Sequence, residues 1–277
     1  MDKKVQELLI LAKKDVFGGN LGDNITTFKG DGLSFREIKE YELGDDVRKI
    51  NWKATAKTQS TKVNIFDIEK ELNILLVFCI SGSVYFGTVR MKQDAIGEIM
   101  ALLSYSVIKN NNKLSTLFFS DTVEEFLPPS KLNSIVYRTT QKTLEIDLLE
   151  KQVDYKALCE HINRTTKERS LVFLVGDFYG ENIDLSSISY KNEVYALVVR
   201  DRFEEYPYIS GEYDFVSPVD FKTNSVDIDK NIALRYQKLV LQQDRKFYEH
   251  CVRHRITTGK IYTDEDIYLR LSQILKG

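Results

Sequence analysis

The feature that most constrains this chain is a set of short, nearly continuous apolar runs separated by helical patterns. Residues 72–78, 114–120, 171–175 and 194–199 are each of strand length. They do not alternate apolar with polar, so each has to bury both faces, which is the condition of a central strand in a parallel sheet. Between them, residues 92–109 carry Ala95, Ile96, Ile99, Leu102 and Leu103 at helical spacing, and residues 155–164 carry Leu158, Cys159 and Ile162. Strand and helix in alternation predict an α/β fold with a mainly parallel sheet and helices on both faces.

The flanks are less regular. Val5, Leu8, Leu9 and Ala12 fall at i, i+3, i+4 and i+7 and predict an amphipathic first helix, ended at residues 17–20 where glycine offers a left-handed cap. Residues 123–127 read as a short strand closed by Pro128-Pro129, and 206–229 as one or two strands. Residues 231–253 read as a long helix, 256–262 as a last strand, and the acidic 263–266 as the start of a final helix. Residues 28–58 are crowded with charge of both signs, hold the single tryptophan, Trp52, and carry turn signals at Gly30-Asp31-Gly32 and Gly44-Asp45-Asp46. Asp45 or Asp46 is suited to cap a short helix in which Val47, Ile50 and Ala54 share a face. There is no internal repeat and no flexible linker, so the simplest division is an N-terminal extension, 1–70, and one main domain, 71–277.

Composition excludes several classes. With 39 basic and 41 acidic residues the net charge is -2, which gives no global pull toward nucleic acid or an anionic membrane. Cys79, Cys159 and Cys251 are far apart and odd in number, so free thiols in a reducing compartment are expected. The apolar patch 8–12 is too short to span a bilayer, which predicts a cytoplasmic chain without direct membrane insertion. His250 and His254 stand at i, i+4 but lack the glutamate of a zinc-hydrolase helix, and the basic stretch around them reads as a solvated face. No P-loop, dinucleotide fingerprint or serine-hydrolase elbow is present, so no standard enzyme chemistry is signalled.

Ligand sites in open parallel sheets lie beyond the carboxyl ends of the strands. Two polar clusters fall there: Cys79-Ile80-Ser81-Gly82-Ser83 after the first strand, and Gly176-Asp177-Phe178 after the 171–175 strand. Ser81, Ser83 and Asp177 are hard oxygen donors of the sort that suits Mg²⁺. The blander reading makes the serines turn hydroxyls, Asp177 a cap and Cys79 a small buried hydrophobe.

A D-x-S-x-S loop after a buried strand, with a distant Asp after a later one, resembles the metal-ion-dependent adhesion site of von Willebrand factor type A domains. Gly32-Leu33-Ser34-Phe35-Arg36-Glu37, Glu40-Tyr41, then Gly44 through Ala54 and Ala56 resemble the signature of the bacterial domain of unknown function 58 family, G-x-E-F-x-x-x-R-x-Y-x-x-G-D-D-x-R-x-I-D-W-x-A-x-A. Further matches run through Phe119-Ser120-Asp121, Leu127-Pro128-Pro129, Asp177-Phe178 and Asp201-Arg202-Phe203-Glu204. The resemblance implies a Rossmann-like three-layer von Willebrand factor type A domain. Two departures stand out. Cys79 occupies the place of the motif's first Asp, and Val153 that of a threonine ligand, so the resemblance implies a degenerate site with at most a weak Mg²⁺ and no other cofactor.

The resemblance further implies a non-enzymatic adaptor that partners a MoxR-type AAA+ ATPase and its client proteins. Contact is expected either at the rim of Ser81 and Ser83, or on the charged block, with Arg36, Asp45, Asp46, Arg48 and Trp52 as partner-binding residues. Two alternatives remain from the residues: a metal-dependent hydrolase using Asp177 and neighbours such as Asp121, and a structural or assembly protein associated with a membrane.

Overall fold

Six strands form one sheet in the order β10-β7-β6-β3-β4-β5, all parallel except the antiparallel edge strand β5. They are β3 (Asn73–Cys79), β4 (Lys113–Phe119), β5 (Val123–Ser130), β6 (Leu171–Gly176), β7 (Glu193–Arg200) and β10 (Thr257–Tyr262). This computed structural model describes residues 3–18, 34–58, 60–67, 71–180, 183–207 and 210–276, and of residues 18, 34–36 and 65–67 the backbone alone. It divides into two compact units, Met1–Ile25 with Asn73–Gly277, and Thr26–Leu72.

The apolar runs become strands because they are covered on both sides. Leu75, Val77 and Cys79 of β3, with Val172 and Leu174 of β6, join a core with Leu158, Cys159, Ile162, Phe247 and Cys251. The alternate residues Ile74, Leu76 and Phe78 are equally buried on the opposite face. The first core is supplied by α5 (Tyr155–Thr165) and α8 (Lys230–Arg253). The other face is covered by α1 (Lys3–Gly18), α3 (Lys92–Lys109), α4 (Asn133–Glu145) and α9 (Ile267–Lys276), which pack on one another. Short helices α6 (Ser186–Ser189) and α7 (Arg202–Glu205) follow β6 and β7. Within residues 206–229, read as one or two strands, β8 (Gly211–Val216) and β9 (Thr223–Ile228) form an antiparallel hairpin. Among the described residues no helix is long and apolar enough to cross a membrane.

Two expectations change, and a third is untested. The first helix does not belong to an extension: Val5, Leu8, Leu9, Ala12 and Val16 are buried, and α1 packs with the main unit. The strand at 123 does not stop at Leu127 but runs through both prolines to Ser130, because β5 is an edge strand whose outer side needs no donor. The left-handed cap expected at residues 17–20 lies largely outside the described residues.

In the smaller unit, β1 (Ser34–Glu40) pairs antiparallel with β2 (Lys62–Asp67) around a short helix, α2 (Trp52–Thr58). The expected helix with Val47, Ile50 and Ala54 on one face is not formed. Asp46 caps only a single 3₁₀ turn, Val47–Lys49, and Ile50 bridges to Val63 as extended chain. The helix begins one turn later, where the Asn51 side chain accepts the Ala54 N–H at 2.9 Å.

Candidate functional site

Counted from β3, the sheet order is 3-2-1-4-5-6, and its direction reverses between β3 and β6. Loops leaving adjacent parallel strands in opposite directions open a crevice at that point. Ser81, Ser83 and Asp177 leave β3 and β6 there, and the structure brings all three together. The Ser81 and Ser83 hydroxyls are 2.5 Å apart, Ser83 donates to Asp177 Oδ2, and Ser81 Oγ lies 3.4 Å from the same oxygen. Asp177 is 2% exposed, Ser81 is buried and Ser83 half-buried.

Backbone geometry aims this cluster. Phe178, the residue after Asp177, has φ 50°, a left-handed conformation costly for an aromatic residue. It is held by stacking on Phe247 and Tyr155, with centroids 5.0 and 5.8 Å away. Gly176 lets β6 approach β3, since a Cβ there would lie 2.9 Å from Cys79 Cβ. The tip of the β8–β9 hairpin sits beside Ser81: the Pro218 carbonyl accepts from the Glu150 N–H at 2.9 Å and lies 2.7 Å from where a Gly82 Cβ would be.

Lys92 was not singled out from sequence, yet it is central. Its side chain is fully buried at the first turn of α3, with Nζ 2.5 Å from Glu204 Oε1, 3.5 Å from Asp177 Oδ2 and 5.6 Å from the Tyr179 ring centroid. Glu204 is placed by a capping box: its other oxygen accepts the Asp201 N–H at 2.9 Å, and Asp201 accepts the Phe203 N–H at 2.9 Å. Burial pushes the Glu204 carboxyl up, against the pull of Lys92. The available signal was the D-x-x-E spacing of Asp201 and Glu204, which reads as a cap but does not name its lysine.

The block 44–57 builds a different surface. Gly44, at φ 112°, makes a turn that glycine adopts freely. Asp45 takes the Glu42 N–H at 2.9 Å and the Lys39 ammonium at 3.0 Å, while Asp46 holds Arg48 by two side-chain bonds of 3.0 Å. These bonds keep both carboxyls below their ordinary range, Asp45 chiefly through the Glu42 N–H and Asp46 chiefly through the Arg48 guanidinium. On this frame Trp52 is 71% exposed, so it does not anchor the block. Trp52, Lys53, Ala56 and Lys57 form the outward face of α2, with exposed Leu43 and Val47 in the turns before it. The side chain of Arg36 lies outside the described residues.

A family model described as "Protein of unknown function DUF58" matches residues 37–246. The chain belongs to the DUF58 family. It is 25% identical over 203 residues to the uncharacterized proteins Mb1516 of Mycobacterium bovis and Rv1480 of Mycobacterium tuberculosis. That match is 71% of this chain but 64% of theirs, so this DUF58 chain spans less than two thirds of the relatives' length. Two solved structures are similar at low identity. The conserved hypothetical protein BatB from Bacteroides thetaiotaomicron has a TM-score of 0.46 and 10% identity, covering 74% of this chain and 97% of its own. An aerotolerance-related membrane protein from Bacteroides fragilis has a TM-score of 0.40 and 12% identity, covering 74% and 96%.

The rim residues of this DUF58 chain do not fit a divalent ion. Cys79 points into the core, and desolvation, reinforced by Asp177, drives its thiol far up, so it offers neutral sulfur. Val153 packs against the same core, and Asp154 is spent capping α5 through the Ala157 N–H at 3.0 Å. Asp121 is exposed and accepts from Ser120 at 3.0 Å. Among the described residues no group of three or more His, Cys, Asp or Glu is placed to hold a metal.

Proposed function

We propose that this DUF58 chain is a non-enzymatic binding module of the von Willebrand factor type A kind that docks a protein partner during assembly or maturation of a complex. The strand order, with polar loops meeting at its reversal, supports the fold assignment. The observation that carries the function is Trp52. A tryptophan 71% exposed on a frame of ion pairs loses solvation free energy until something covers it, and tryptophans of this kind dominate binding hot spots. Asp45, Asp46 and Arg48 then act as the frame, since their charges are satisfied by one another and by Lys39.

The partner implied by the family resemblance is a MoxR-type AAA+ ATPase, which supplies energy while this chain supplies recognition of client proteins. Affinity capture from the native cell with wild type and Trp52→Ala tests both parts. An AAA+ ATPase should be recovered with wild type and reduced at least about tenfold with the variant, at unchanged Tm. Recovery of no ATPase removes that partner, and equal recovery with Trp52→Ala removes the surface.

A further inference from the structure

Lysines are almost never fully buried, and a cation in the first turn of a helix opposes the helix dipole. Lys92 does both: it is the first residue of α3, and its side chain is 0% exposed. Such a position persists only if carboxylates compensate it. Two do: Glu204 at 2.5 Å and Asp177 at 3.5 Å, with the Tyr179 ring face alongside. The carboxylate shared with Lys92 is the one that also accepts from the serine loop.

We infer that the Lys92 ammonium is the resident cation of this rim, built into the chain where a D-x-S-x-S loop would take a divalent ion. Cys79 removes one negative charge from the site, and Lys92 pairs with Asp177 from within. The ammonium is tethered covalently, so the arrangement of Ser81, Ser83 and Asp177 does not depend on Mg²⁺. Lys92 is a positioning residue, acting on the serines through Asp177. Glu204 fixes the height of the ammonium and belongs to the same device, because its second oxygen is tied to the Asp201 backbone.

Thermal unfolding with and without 10 mM MgCl₂, against NaCl of equal ionic strength, tests this on the full chain. Wild type and Lys92→Arg keep their Tm. Lys92→Ala melts lower, and Cys79→Asp/Lys92→Ala, which regains the carboxylate as it loses the ammonium, is raised by about 3 °C or more by Mg²⁺. A wild type raised as much as Cys79→Asp/Lys92→Ala, or a folded double variant that ignores Mg²⁺, overturns the inference. If the double variant does not fold, Mg²⁺ is titrated calorimetrically into wild type and Cys79→Asp. Absence of binding in both is the expected result, and submillimolar binding by either with Lys92 in place overturns it. Neither readout involves a partner, so the outcome is separate from that of the capture experiment.

Discussion

Asp201 is buried yet held ionised, because the oxygens that burial strips of water are given donors. Desolvation pushes its carboxyl up, but the Thr88 N–H at 2.8 Å, the Phe203 N–H at 2.9 Å and the Thr263 hydroxyl at 3.1 Å outweigh it, and the net direction is down. A carboxyl depressed in the folded state adds stability that is complete above its unfolded value of 3.8 and is lost as pH falls toward the folded value. Asp201→Asn is therefore expected to cost about 1–3 kcal/mol near neutral pH and to flatten the loss of stability below about pH 4, read by urea unfolding across pH. The thiols give a second expectation. Desolvation raises Cys159 to about 11 and Cys251 to about 12, and Cys79 beyond both, so iodoacetamide at pH 8 should label none of them until the chain is denatured. Modification of Cys79 in the folded protein, seen by mass spectrometry, would contradict its place in the core. Ser81, Ser83 and Asp177 were legible as a cluster because they follow buried strands whose ends have to meet. Lys92 and Glu204 were not, since a lysine opening a helical pattern reads as a solvated end, and its carboxylate is 112 residues away.

The elements were legible where burial is two-sided and apolar. The strands β3, β4, β6 and β7 and the helix α3 follow directly from their composition. Helix α4 was missed because its core face is polar: Thr139, Thr140 and Thr143 are fully buried, which breaks the apolar stripe. Their hydroxyls are satisfied locally, Thr140 and Thr143 by the carbonyls four residues back and Thr139 by Thr116 at 2.8 Å. The pair β1 and β2 was missed for the converse reason, since charged residues fill most of β1 and the apolar residues of β2 make too short a run to signal a core. The packing of α1, α3 and α4 is set by Gly97, where a Cβ would lie 2.7 Å from Leu144 Cδ2 and 3.7 Å from Leu8. Gly97→Val should wedge these helices apart and destabilise the main unit by about 1–3 kcal/mol in urea unfolding. Adding Leu144→Ala should recover part of that loss by vacating the space, whereas strictly additive losses would show that the close approach is not the cause.

At the scale of the whole chain, near-neutrality hides an uneven distribution of charge. The net charge of -2 excluded a global field, but a docking face is governed by the charges left over after internal pairing. In the smaller unit Lys39, Arg48 and Lys62 are taken up by Asp45, Asp46 and Glu40. No ion pair engages Lys49, Lys53 or Lys57 among the described residues, and Lys53 and Lys57 flank Trp52 on the outward face of α2. An exposed aromatic beside uncompensated lysines favours a partner surface that is apolar at its centre and acidic at its rim. Such charges are exposed and separated from their partners by water, so they act mainly on association and are screened over about 8–10 Å at physiological salt. Raising NaCl from 50 to 300 mM should therefore slow partner association several-fold while leaving dissociation, set by Trp52, nearly unchanged. Lys53→Glu/Lys57→Glu should reproduce the slowing at low salt without altering Tm, and Trp52→Ala should do the opposite, speeding dissociation with little effect on association. Surface plasmon resonance on the captured partner separates the two, and a salt effect confined to dissociation would place the binding face elsewhere on the molecule.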